Sequence, residues 1–186
     1  MKTEIDILSD KEVEILGYAK SQKGTMDFVI EKLSAEGIFE QYRNVHKSYL
    51  ELYLRSNDEA IKLEIIKRLI FLNWYALVEP SCYTGIGDLD VAAVSESYSI
   101  LHQYLMAGKI DTEFKWMLSF YVSLYYAILP FLDKRLETLT AFVKEVDTSA
   151  LSFPQDHMLE AEMVNRGQMG VYWRSRSAEP NTNNKY

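Results

Sequence analysis

Apolar residues recur at steps of three and four along most of the chain, while the strict alternation expected of strands is scarce. The pattern predicts helices. Ser9-Asp10-Lys11-Glu12 has the form of a capping box ahead of Val13, Ile15, Leu16 and Ala19, which places a helix start near residue 10. Gly24 interrupts, Thr25 can cap a short second helix carrying Met26, Phe28, Val29, Ile30 and Leu33, and Gly37 ends it. A third helix is expected from about Ile38 to Arg55, on a stripe of Phe39, Tyr42, Val45, Tyr49, Leu52 and Tyr53. Ser56-Asn57-Asp58-Glu59 is a second capping box and opens a long helix to about Glu79. Its first half sets Ile61, Ile65, Ile66 and Leu69 against Lys62, Glu64, Lys67 and Arg68; its second half is apolar on every side, as a central helix should be. Pro80 stops it, because the residue before a proline avoids the α region. A fifth helix is expected from near Asp88 to Gly108 and a sixth from Asp111.

Residues 116–132 carry no charge, which raises the question of a membrane span. Seventeen residues reach only about 26 Å at 1.5 Å per residue, at the lower limit for a span. Three tyrosines, two serines and Pro130 argue further for a buried central helix, with a kink or break at the proline. Membrane attachment through this segment ranks last among the readings. Leu132, Leu136, Leu139, Phe142, Val143 and Val146 continue an amphipathic pattern, and Ser152-Phe153-Pro154-Gln155 resembles another helix start. After Gly167 no helical period remains. The fold class expected is all-α: one domain over residues 1–166, an irregular up-and-down bundle of about six to eight helices in hairpins. Its central helices lie near 57–79 and 111–129. Residues 167–186 are expected as a C-terminal extension, partly disordered or docked through Val171–Trp173.

Composition adds a compartment and a charge. With a single cysteine the chain forms no internal disulfide, and its acidic first thirty residues lack the apolar core of a signal peptide, so the expected location is the cytoplasm. Residues 1–79 hold 14 acidic and 11 basic residues, 80–165 hold 12 and 5, and 166–186 hold 1 and 4, giving the net charge of −7. An acidic body repels phosphate backbones, which argues against a nucleic-acid partner.

Candidate chemistry is thin. His46, His102 and His157 have no partner histidine at metal-ligand spacing, and no Glu-x-x-His motif is present, so no metal site and no cofactor are expected. There is no Gly-x-Ser-x-Gly elbow. Cys82 follows the negative C-terminal end of the fourth helix and sits among Glu79, Asp88 and Asp90, surroundings that disfavour a thiolate; it is expected to be a small buried hydrophobe. Gly85 and Gly87 precede aspartates where a phosphate loop would want open backbone donors, so they are expected to shape a turn, with Asp88 capping the next helix.

Residues 73–90 nonetheless hold the most unusual contents. Asn73 lies in an apolar run and needs partners if buried, and Glu79 sits at a helix end that disfavours negative charge. With Trp74, Tyr83, Asp88 and Asp90 they are the candidate binding residues, for lining a pocket or meeting a basic partner at one end of the bundle. Thirteen tyrosines, apolar in body and polar at the tip, suit an interface as well as a core edge. The function expected is protein–protein interaction, of a binding, inhibitor or immunity type, with a partner of basic surface. The alternative is a small-molecule binder or enzyme using a pocket beside residues 73–90.

Overall fold

A computed structural model describes residues 2–124, 127–128, 135–146 and 163–177, and all regular structure among them is helical. The helices are α1 (Glu4–Ser21), α2 (Met26–Ala35), α3 (Ile38–Arg55), α4 (Glu59–Val78), α5 (Ser81–Thr84), α6 (Val91–Met106), α7 (Thr112–Ser123), α8 (Glu137–Glu145) and α9 (Gly167–Ser177). They pack as an all-α bundle. Thr25 and Asp111 cap their helix starts through the side chain, as the sequence predicts, whereas α4 is capped by Asp58 and not by the Ser56 of the expected capping box.

α4 is the axis of the fold. Every residue from Ile65 to Trp74 is buried, including Lys67, Arg68 and Asn73. A helix surrounded on all sides keeps polar residues only where neighbours complete their hydrogen bonds, and α1, α3, α6 and the start of α7 supply them. Lys67 Nζ lies 2.6 Å from Asp111 Oδ2 and 2.5 Å from Glu113 Oε2, at the start of α7. Arg68 bonds Glu64, the Tyr49 hydroxyl, Ser9 and the carbonyl of Asn165.

Besides α7, which ends at Ser123 short of the expected 129, three elements differ from the sequence pattern. α1 begins at Glu4, because Thr3 and Asp6 form a reciprocal capping box upstream of the one read from Ser9. Ser9 and Glu12 then face inward as buried residues and bind Arg68 and the tyrosines of α3. The expected single turn at 79–90 contains α5, closed by Gly85 at φ +73°, and then runs on to Asp90 before α6 begins. Asp90, not Asp88, is the cap, accepting the Ala93 N–H at 3.0 Å.

The third difference is α9, where no helical period is legible. Its first turns bury Gln168, Met169 and Gly170, and Trp173 below them is fully enclosed. A buried side made of glutamine, glycine, methionine and tryptophan gives almost no contrast in hydropathy. The helix exists because Trp173 and Tyr172 join an aromatic cluster with Phe71, Trp74, Trp116, Phe120 and Tyr121. Pro130, the helix start near 152 and residues 178–186 lie outside the described residues. Among the described residues, no helix is long and apolar enough to cross a membrane.

Candidate binding site

The end of α4, stopped before Pro80, the link between α5 and α6 and the first turn of α6 lie around one hollow. Gly87 in that link passes so close to α3 that a Cβ there would lie 2.6 Å from the Phe39 ring. A cleft of about 370 Å³ opens between these elements. Its walls are apolar, formed by Ala76 and Leu77 of α4, Leu89 of the link, and Val91 and Val94 of α6; Asn73 and Asp88 add the polar side chains. A second hollow of about 320 Å³ lies among Thr3, Leu52 and Ile61, edged by the Arg55–Glu4 ion pair at 2.6 Å.

Behind the first cleft the polar groups form a chain whose directions can be deduced. Ser97 donates its hydroxyl proton to the Val94 carbonyl at 2.7 Å, so its oxygen can only accept from Asn73. That places the Asn73 amide nitrogen at Ser97, 2.7 Å away, and its oxygen at His46 Nε2, 2.9 Å away. His46 therefore carries its proton on Nε2, and its Nδ1 is a buried lone pair with no hydrogen-bond partner. Burial pushes the imidazole down to about 4, against the Asn73 bond and the charge of Asp90, which favour protonation.

This depression has a measurable sign. An imidazole held neutral in the fold but free to protonate near 6.5 when unfolded stabilises the protein fully above pH 6.5. That stability is lost as pH falls toward 4, by about 3 kcal/mol at the limit. Urea denaturation between pH 7 and 4 is expected to show the loss. His46→Gln, which keeps a donor and cannot protonate, is expected to flatten it by about that amount.

The six residues singled out from the sequence do not converge. Asn73 and Asp88 line the cleft together. Trp74 belongs to the aromatic core, stacked on Tyr121 with ring centroids 4.8 Å apart. Glu79 is the C-cap of α4, half-buried, its backbone N–H bonded to the Tyr75 carbonyl at 3.1 Å. Burial first, and then the charge of Glu79, raise the Tyr75 hydroxyl to about 12. Tyr83 is 53% exposed on α5, and Asp90 is committed to the α6 cap with Lys47 3.9 Å away. Cys82 is 3% exposed within the core.

Leu77 and Val91 were not singled out, and they are the most exposed apolar walls of the cleft, at 49% and 73%. His46 and Ser97 were missed because each needs a neighbour from another helix to acquire a role. A charge signal was available, however: residues 69–108 contain no lysine or arginine but do contain Glu79, Asp88, Asp90 and Glu96. The Arg43 guanidinium donates to the Asp88 backbone carbonyl at 3.0 Å and pairs with Glu40.

The other polar concentration lies under α9. Glu12, 1% exposed, accepts the Tyr42 hydroxyl at 3.0 Å, the Tyr49 hydroxyl at 2.5 Å and the Gln168 backbone N–H at 2.9 Å. Burial raises its carboxyl above the usual range despite these bonds and the nearby Arg68. Arg166 bonds Glu64 and Glu113. Burial opposes the ionisation of Glu113, yet Arg166 and Lys67 outweigh it and hold that carboxyl below its usual value. These groups satisfy one another and clamp α9 to α1, α4 and α7. Compared with protein families, with curated proteins and with solved structures, the chain finds no match.

Proposed function

We propose that this chain is a binding protein that engages another protein through the cleft between α4 and α6, where an aliphatic side chain of the partner inserts beside a basic residue. The observation that carries the reading is the rim: Leu77 and Val91, both exposed, flank one cleft with the carboxylate of Asp88 beside them. Exposed large apolar residues scattered singly mean little, whereas a concave group with a polar edge is the form of an interaction site. The 40 residues from 69 to 108, without a lysine or arginine, favour a partner of positive charge. Burying one aliphatic anchor contributes about 1.5–3 kcal/mol.

Panning a displayed random peptide library on the protein tests this directly. Enriched peptides are expected to share an aliphatic residue next to lysine or arginine, and to bind Val91→Asp at least tenfold more weakly. Peptides enriched in acidic residues, peptides indifferent to Val91→Asp, or no enrichment at all would remove the reading. A small-molecule ligand is the second reading, favoured by a volume of about 370 Å³, within the span of ligand pockets, roughly 300–1,000 Å³. Thermal upshift by neutral branched ligands, abolished in Val91→Asp, would shift the balance to it.

A further inference from the structure

We infer that Asn73 is the specificity-determining residue of this cleft and that it selects an uncharged hydrogen-bond acceptor, a carbonyl or hydroxyl oxygen adjoining a branched aliphatic group. On a protein partner this is the backbone carbonyl beside the inserted side chain. The inference rests on the cleft being the binding site, and adds to it the chemistry that the site reads.

The argument is a count of donors. The amide of Asn73 has two N–H bonds and one is used, by Ser97. Its oxygen is used by His46. The reversed amide is disfavoured, because it would take the Ser97 proton from the Val94 carbonyl and move the His46 proton to Nδ1, where it has no acceptor. Asn73 is buried and lines the cleft, so the second N–H is a donor held in apolar surroundings by a helix on either side. Such a donor favours any ligand oxygen that completes it and disfavours a ligand that brings only donors.

The rest of the lining narrows the class. Ala76, Leu77, Leu89, Val91 and Val94 offer only carbon, which suits a branched aliphatic group. At the start of α6 the Ala93 N–H bonds the Asp90 carboxylate and the Val94 N–H the Asp90 carbonyl, so a negative charge already occupies that helix end. Asp88 beside them repels a carboxylate or phosphate ligand. A neutral acceptor remains.

The probes are 4-methyl-2-pentanone, which carries the branch and a carbonyl, and xenon, which fills apolar clefts and makes no hydrogen bond. Binding is followed in carbon–proton methyl spectra at Leu77, Val91 and Val94. Both probes are expected to shift these methyls in the wild type. Asn73→Asp retains the size and accepts from both His46 and a rotated Ser97, but has no N–H; it is expected to weaken the ketone about tenfold and leave xenon unchanged. Asn73→Leu, of similar size and without any donor, is expected to weaken the ketone to the same extent and keep xenon, so it decides the matter even if Asn73→Asp folds poorly. Equal ketone affinity in whichever of the two variants folds overturns the role of Asn73 and leaves the cleft standing. Failure of both probes in the wild type overturns the cleft and the inference together.

Discussion

Glu12→Ala is expected to lower the stability of the protein by about 3–5 kcal/mol, while Glu12→Gln leaves it equal to or above the wild type at neutral pH. The alanine variant leaves two tyrosine hydroxyls and the Gln168 N–H without an acceptor in the interior. Each buried unpaired group costs about 1–3 kcal/mol, and the vacated volume adds to that. Glutamine keeps an acceptor oxygen, and a tyrosine hydroxyl can reverse to accept from its amide. What glutamine removes is the cost of an ion in a dry site. Because burial raises the Glu12 carboxyl above its ordinary 4.5, the native state binds that proton more tightly than the unfolded chain does. The group's contribution is therefore most favourable below pH 4.5 and declines as pH rises through the raised native value. Urea titrations of both variants at pH 4 and 7 measure this. The advantage of glutamine over glutamate should grow toward pH 7, and a constant difference would mean that the fold does not raise the Glu12 carboxyl.

Gly167→Ala is the second large effect, at about 2–4 kcal/mol. Gly167 sits at φ +58°, where an L side chain is strained, and a Cβ there would lie 2.6 Å from Glu12 Cδ. A carboxylate at the end of a free side chain would swing aside. This one is held by Tyr42, Tyr49 and the next backbone N–H, so the clash falls on α9. The expected result is a midpoint lowered by about 2–4 °C for each kcal/mol, with loss of the near-ultraviolet dichroism of enclosed Trp173. Gly17→Ala is the control: it meets nothing within 4 Å in the middle of α1, and should be neutral or mildly stabilising. A Gly167→Ala protein as stable as that control would show that α9 is not held as described.

The two effects reach the binding cleft through one contact. Gln168 donates from its side chain to the Thr84 carbonyl at 2.6 Å, and Thr84 in turn accepts the Ile86 N–H at 3.0 Å. α9 thus steadies the segment that carries Gly87, Asp88 and Leu89 into the cleft wall. Variants that unseat α9 should weaken cleft-binding peptides as well as melt earlier.

Much of this architecture is written in the sequence, and the reason is local. The positions of α2, α3, α4, α6 and α7 follow from periodicity together with side chains that cap their own helix starts, interactions completed within a few residues. The all-helical class follows in the same way, as does the burial of α4, whose apolar run admits no solvent face. Where the local signal was shared between two candidates, as at Thr3 against Ser9 or Asp90 against Asp88, the sequence could not rank them. The packing of Ser9 against Arg68 and the long link before Asp90 decided it.

The sites were legible only in outline. Asn73 stood out as a polar residue in an apolar run, and Asp88 as an acid after glycines, and both line the cleft. Trp74, Glu79, Tyr83 and Asp90 were equally conspicuous, yet a helix face or a cap took each of them elsewhere. Glu12 read as part of a capping box, Gly167 as the end of the helical pattern and Arg166 as an ordinary base, because their shared role requires about 150 residues of intervening chain to bring them together. The sequence by itself determined the helical stretches of α2, α3, α4, α6 and α7 and the burial of α4, since those depend on spacing and on neighbours a turn away. Only the tertiary structure decided that α9 exists, that Glu12 holds it, and that one amide N–H of Asn73 is left over, because each depends on hydrogen-bond partners supplied by other helices.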